Sequence, residues 1–213
     1  MRNYFASQIL IVLLIASTGC AVNRDRSSTF LDRPRILFIG SSSIFYWKTL
    51  DHDFADVQGK LLRDGVGGRT LHDVAAHVQD EIIAVKPDKV LVYGGSIDLH
   101  LKEPRTPEQV FGDFVSLCDE VHASLPSTKI YFISCKPSIA KWEEIESDVK
   151  LNQLVGRMAA TEPNAAYIDV FNPMLDANGQ PIEALFNKDH NHLNKEGYAL
   201  WTKLIRPYLV EQN

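Results

Sequence analysis

Arg35-Ile36-Leu37-Phe38-Ile39-Gly40, followed at once by Ser41-Ser42-Ser43-Ile44, is the stretch on which the fold turns. A short apolar run without polar alternation reads as a strand buried on both faces. The glycine and the serines after it mark a strand-to-helix turn. Three later runs have the same form: Lys89 to Tyr93 (KVLVY) after Pro87-Asp88, Lys129 to Ser134 (KIYFIS) and Ala165 to Val170 (AAYIDV). Gln58 to Arg63 reads as a weaker second strand.

Helical patterns lie between the strands. Leu71, Val74, Ala75, Val78, Ile82 and Val85 keep one helical face. So do Val110, Phe111, Phe114, Cys118 and Val121, in a helix that opens with the capping box Thr106-Pro107-Glu108-Gln109. Trp142, Ile145, Val149, Asn152 and Val155 form a third face. A last helix runs from Lys195 to about Arg206, where Pro207 is expected to disturb it. This alternation predicts an α/β fold, a three-layer αβα sandwich around a five-stranded parallel sheet. Ligands of such folds sit at the carboxyl ends of the strands, so the residues after each strand are the ones that matter for function.

The chain has 213 residues, 45% of them hydrophobic and 23% charged, with a formal net charge of −5. That excludes a disordered, collagen-like or disulfide-scaffold protein. A mildly acidic chain without a Lys/Arg cluster does not favour nucleic acid as a partner. Residues 34–213 form the expected domain.

Ahead of it, Ile9 to Ala16 (ILIVLLIA) is apolar throughout and has the length of a signal-peptide core, short of the ~20 residues that span a bilayer. Ser17-Thr18-Gly19-Cys20 follows and resembles a bacterial lipobox. That resemblance implies a signal peptide over residues 1–19 and a lipidated Cys20. A polar tether over residues 20–33 then leads to the domain. Ala21, where sorting signals that retain lipoproteins elsewhere carry Asp, implies an outer-membrane lipoprotein facing the periplasm or the exterior. Cys118 and Cys135 lie in apolar settings and are expected to be buried free thiols.

Four strand-end segments carry chemistry. Gly40-Ser41-Ser42-Ser43 offers a serine at a helix N-terminus, where backbone N–H groups and the helix dipole favour a developing anion; equally, serines cap helices. Asp64-Gly65-Val66-Gly67-Gly68-Arg69-Thr70 lets backbone N–H groups approach a substrate oxygen, or is a plain tight turn. In Gly94-Gly95-Ser96-Ile97-Asp98, Asp98 either orients a partner or caps the next segment. In Asp189-His190-Asn191-His192-Leu193-Asn194, a carboxylate three residues before an imidazole can hold it as a general base. Alternatives are a metal site through His190 and His192, or exposed histidines beside an Asn194 helix cap.

These four segments, in this order from about Arg35 to Leu209, resemble the SGNH (GDSL-like) hydrolases, which have a flavodoxin-like fold. The resemblance implies roles for individual residues. Ser42 is the nucleophile, with Ser41 where many members have Asp. His192 is the base and Asp189 orients it. The backbone N–H groups of Ser42 and Gly68 face the oxyanion. The family's third oxyanion donor is an Asn side chain, and this chain has Ile97 there. Loss of one such donor typically costs ~2.7–4 kcal/mol, about 10²–10³ in turnover. Ser96 is a conceivable substitute, but alternation along an extended segment would aim it away from Ile97. The implied activity is a serine esterase or acylhydrolase acting on small acyl esters or O-acetylated carbohydrate, without metal or organic cofactor. The alternative is a weakened member that binds an acylated glycan or lipid. Lys136-Pro137-Ser138 also follows a strand and either shapes the pocket or serves its own loop. His52, His72, His77, His100 and His122 show no partner pattern.

Overall fold

A computed structural model describes residues 33–210. The expected signal peptide 1–19, Cys20 and all of the tether but Arg33 lie outside the described residues. Among the described residues no helix is long and apolar enough to cross a membrane.

Five parallel strands form one sheet: β1 (Arg35–Gly40), β2 (Lys60–Gly65), β3 (Lys89–Tyr93), β4 (Lys129–Ile133) and β5 (Ala165–Ile168). Their order is β2-β1-β3-β4-β5, the doubly wound, flavodoxin-like arrangement. The order reverses between β1 and β3, which opens a crevice at their carboxyl ends.

Side-chain alternation divides the core into two layers. Ile36, Phe38, Leu91, Tyr93, Tyr131 and Ile133 face one side. There they meet residues of the short helices α1 (Ser42–Phe45) and α2 (Leu50–Asp53) and of the C-terminal helix α7 (Lys195–Leu209). Leu37, Ile39, Val90, Val92, Ile130 and Phe132 face the other side, against α3 (Leu71–Ala76), α5 (Pro107–Ser124) and α6 (Glu146–Ala159). A one-turn helix, α4 (Ser96–Leu99), follows β3.

The differences from the sequence expectations have local causes. β2 starts at Lys60, not Gln58, because Lys60 pairs with Arg35 and Gly65 with Gly40. As an edge strand it is only half-buried, so its apolar signal is weak. β5 stops at Ile168 because Asp169 makes a turn: its Oδ1 accepts from Phe171 N and Asn172 N, and the N–H of Val170 is drawn to Ser134 Oγ. The expected helix from Leu71 breaks into α3 and a π-helical segment, Gln79–Ile83, which keeps Leu71, Val74, Val78 and Ile82 inward. Pro207 does not end α7, which continues to Leu209. It sits in the last turn, where Lys89 Nζ donates to the terminal carbonyls of Tyr208 and Leu209.

α6 departs most. Asn152 and Val155 are buried as expected, but Trp142, Ile145 and Val149 are only partly buried, and Asp148 and Leu151 join Asn152 and Val155 on the inner face. The buried side-chain polar atoms of α6 are matched except Asp148 Oδ1, which has no hydrogen-bond partner among the described residues. Asn152 accepts from Cys135 N at 2.8 Å and donates to Cys135 O at 3.0 Å, replacing a ladder partner beyond β4. Asp148 Oδ2 takes a hydrogen bond from His100 Nε2 at 2.5 Å. Cys118 and Cys135 are free and buried.

Candidate active site

The strand-end rule brings the four segments together from four parts of the chain. Gly40 ends β1 at φ +147°, and a Cβ there would lie 2.0 Å from Tyr93 O. Only glycine allows β1 and β3 to run this close before the chain turns into α1. Ser42 is therefore the first residue of α1, with Ser41 as its cap and its backbone N–H pointing out of the helix start. Tyr198 Oη holds the turn from below by donating to Ser43 O at 2.9 Å.

The Asp189–His192 segment supplies the candidate base. Asp189 Oδ1 accepts from the N–H groups of Asn191 and His192 at 3.0 and 2.9 Å, closing a turn in which His190 takes a left-handed φ of +57°. That turn presents Asp189 Oδ2 to His192 Nδ1 at 2.6 Å. The opposite ring nitrogen, Nε2, lies 3.1 Å from Ser42 Oγ. With Nδ1–H donating to the carboxylate, Nε2 is left to accept the serine proton. Both ring nitrogens are thus engaged, which argues against the metal reading through His190 and His192. Burial pushes the Asp189 carboxyl up, but the hydrogen bonds from the His192 ring and from the two N–H groups outweigh it, holding the group at about 2. It is an anion throughout the neutral range, as an imidazolium partner requires. Asn194 caps α7 as well, accepting from Gly197 N at 3.0 Å, so the capping and the base-holding readings of this segment are compatible.

The glycine turn after β2 is held by the segment after β3. Asp98 is fully buried, and its carboxylate accepts from Leu71 N at 2.8 Å and His72 N at 3.1 Å. Asp98 therefore caps α3 rather than the segment that follows it, and ties the two loops together. Thr70 and Asp73 complete the start of α3 with a capping box. Gly68, at φ +81°, lies three residues before Leu71. Among the described residues no acceptor takes the N–H of Ser42 or of Gly68. Ile97 lies in α4, half-buried and without a donor. Because Ser96–Leu99 is helical, the alternation argument that aimed Ser96 away from Ile97 does not hold; successive side chains there diverge by about 100°.

Three features were not read from the sequence. Tyr46 lies edge-on to the His192 ring, centroids 4.9 Å apart; its position four residues after Ser42, one helical turn on, is the only hint. Ser138 Oγ donates to Asn191 Oδ1 at 3.0 Å. His100, which showed no partner pattern, bridges Asp148 and Glu144, 48 and 44 residues away.

Comparison with known proteins is consistent with this geometry. The model of the GDSL-like Lipase/Acylhydrolase family matches residues 42–200. No curated protein matches by sequence. Solved structures do match in fold. A GDSL-like lipase from Bacteroides thetaiotaomicron is 20% identical, with TM-score 0.68 over 82% of this chain and 87% of that one. The lipase/acylhydrolase from Enterococcus faecalis is 18% identical, with TM-score 0.67 over 84% and 99%. A catalytic mutant of an acetylxylan esterase from Geobacillus stearothermophilus is 17% identical, with TM-score 0.70 over 84% and 95%.

Proposed function

The chain belongs to the GDSL-like lipase/acylhydrolase family, and we propose that within it the protein is a serine esterase for small acyl esters or O-acetylated carbohydrate. The observation that carries this reading is the unbroken line Asp189–His192–Ser42, at 2.6 and 3.1 Å. In the proposed reaction Ser42 Oγ attacks the ester carbonyl carbon as His192 Nε2 takes its proton. Asp189 stabilises the imidazolium. The oxyanion receives the backbone N–H groups of Ser42 and Gly68. The C–O bond then breaks, His192 returns the proton to the leaving alcohol, and water hydrolyses the acyl-enzyme by the same route. No step calls for a metal or organic cofactor.

Ile97 favours a second reading, a weakened member that binds an acylated glycan or lipid with little turnover. A fluorophosphonate probe separates the two. The esterase reading expects labelling of the purified protein and p-nitrophenyl acetate hydrolysis, both abolished in Ser42→Ala. No rate above the Ser42→Ala background sinks it. We further propose that Cys20 carries a lipid anchor that holds the domain at the outer membrane. Mass spectrometry of the mature N-terminus tests this, an unmodified or absent Cys20 being the contrary result.

A further inference from the structure

We propose that Lys136 and Ser138, which follow β4, are positioning residues for the general base and act through Asn191. The inference rests on the esterase reading above and concerns the same site.

The segment after β4 runs behind the Asp189–His192 turn. Ser138 Oγ donates to Asn191 Oδ1 at 3.0 Å and approaches His190 O at 3.5 Å. Ala140 N donates to the same carbonyl at 3.1 Å. Lys136 Nζ reaches Asn191 Oδ1 at 3.5 Å and sits 5.9 Å from the centre of the Phe186 ring. Asn191 is flanked by His190, whose backbone is left-handed, and by His192 itself. The turn is thus held at two faces: Asp189 Oδ1 closes it from within, and the Lys136–Ser138 segment pins it from behind. A base that must meet Ser42 Oγ within a few tenths of an ångström needs such support.

Lys136 is an unusual choice for a brace that a neutral side chain could provide. It is only 5% exposed, and a lysine is rarely buried without a task for its charge. The ionisable groups close enough to act on its charge are Asp148 from α6, Lys141 from the helical turn after β4, Cys135 beside it in the chain and, least, Asp189 of the base turn. A cation there supports the Asp189 carboxylate while donating to Asn191. Burial pulls the Lys136 ammonium down to about 8, so its charge is lost just above neutrality. The turn then loses its cation, and turnover falls on the alkaline side.

The test measures kcat and KM for p-nitrophenyl acetate from pH 6 to 10, over the Ser42→Ala background, in wild type, Lys136→Met, Asn191→Ala and the double variant. Melting curves confirm the fold. We expect each single variant to lower kcat about tenfold at pH 7 with KM within about twofold. The double variant should lose no more than the worse single one, because both act on one turn. The wild-type decline near pH 8 should be absent from Lys136→Met. Wild-type kcat in either single variant, multiplicative losses in the double, or an alkaline limb that survives Lys136→Met overturns the proposal. Ser42→Ala with wild-type activity would instead overturn the esterase reading. The ¹⁵N shifts of the His192 ring do not depend on turnover: unchanged shifts in both single variants also refute the bracing.

Discussion

Replacing Ile97 by Asn puts a donor at the position where the family resemblance implies one. The structure allows the size of the effect to be worked out. Ile97 precedes Asp98, whose carboxylate holds Leu71 N and His72 N at 2.8 and 3.1 Å, so the backbone at 97 is already tied to the Gly68 turn. Asn and Ile have similar helix propensities, so α4 does not resist the exchange. Ile97 is half-buried, and loss of its apolar contacts costs on the order of 1 kcal/mol. For a domain of this size that lowers Tm by about 2–4 °C. Against this, an oxyanion donor contributes ~2.7–4 kcal/mol to the transition state. A half-exposed donor competes with water, so the low end applies: kcat should rise by about 10². KM should stay within about twofold, because the interaction forms only in the transition state. Steady-state kinetics with p-nitrophenyl acetate, corrected for Ser42→Ala, measure both. If kcat is unchanged or lower while Tm stays within the expected shift, residue 97 does not face the oxyanion or another donor already serves it.

Three further outcomes follow from the buried polar groups. Asp98→Asn presents an NH₂ group to one of two N–H donors and should cost about 1–3 kcal/mol, read as a lower urea midpoint; a wild-type midpoint would contradict the capping role. The hydrogen bond to Asp148 raises the His100 pKa above the ordinary histidine value, with burial opposing it. The stability it contributes is complete below about pH 6.5 and is lost as pH rises through the folded-state pKa. The stability advantage of wild type over His100→Gln should therefore shrink between pH 6 and 9, and a constant difference refutes it. Burial pushes the Cys118 thiol up to about 12 and raises Cys135 well above its ordinary range. Neither should react with a thiol reagent until the protein is unfolded; mapping the labelled peptides checks this, and native labelling contradicts it.

What could be read from the sequence depended on how local its cause is. β1 and β3 are buried on both faces, so their apolar runs coincide with the strands. β2, at the edge, shows half that signal and slipped by two residues. The Asp189–His192 pair was legible because its turn is closed by hydrogen bonds two and three residues apart. Ser42 lies 150 residues from His192, and only the rule that ligands bind at strand ends, with the family resemblance, brought them together. The α6 face was misread in part because Asp148 is polar, and periodicity counts polar residues as outward; Asn152 was placed on the inner face, and the structure buries it together with Asp148. Their burial depends on His100 and Cys135, distant partners that no local pattern reveals.

The grip of Asp98 on the start of α3 also bears on how such chains are recognised. Neighbouring residues in the third segment answer to different demands. Residue 97, on the proposed reading, answers to the chemistry of the oxyanion alone, and no hydrogen bond of the fold depends on its side chain. Residue 98 is an architectural tie between two loops, needed whether or not the protein turns over any substrate. An aspartate at this position is therefore a diagnostic of the architecture and carries little information about activity. If Ile97→Asn raises turnover as expected, the upstream neighbour is the better place to look when sorting working hydrolases from relatives that kept only the shape.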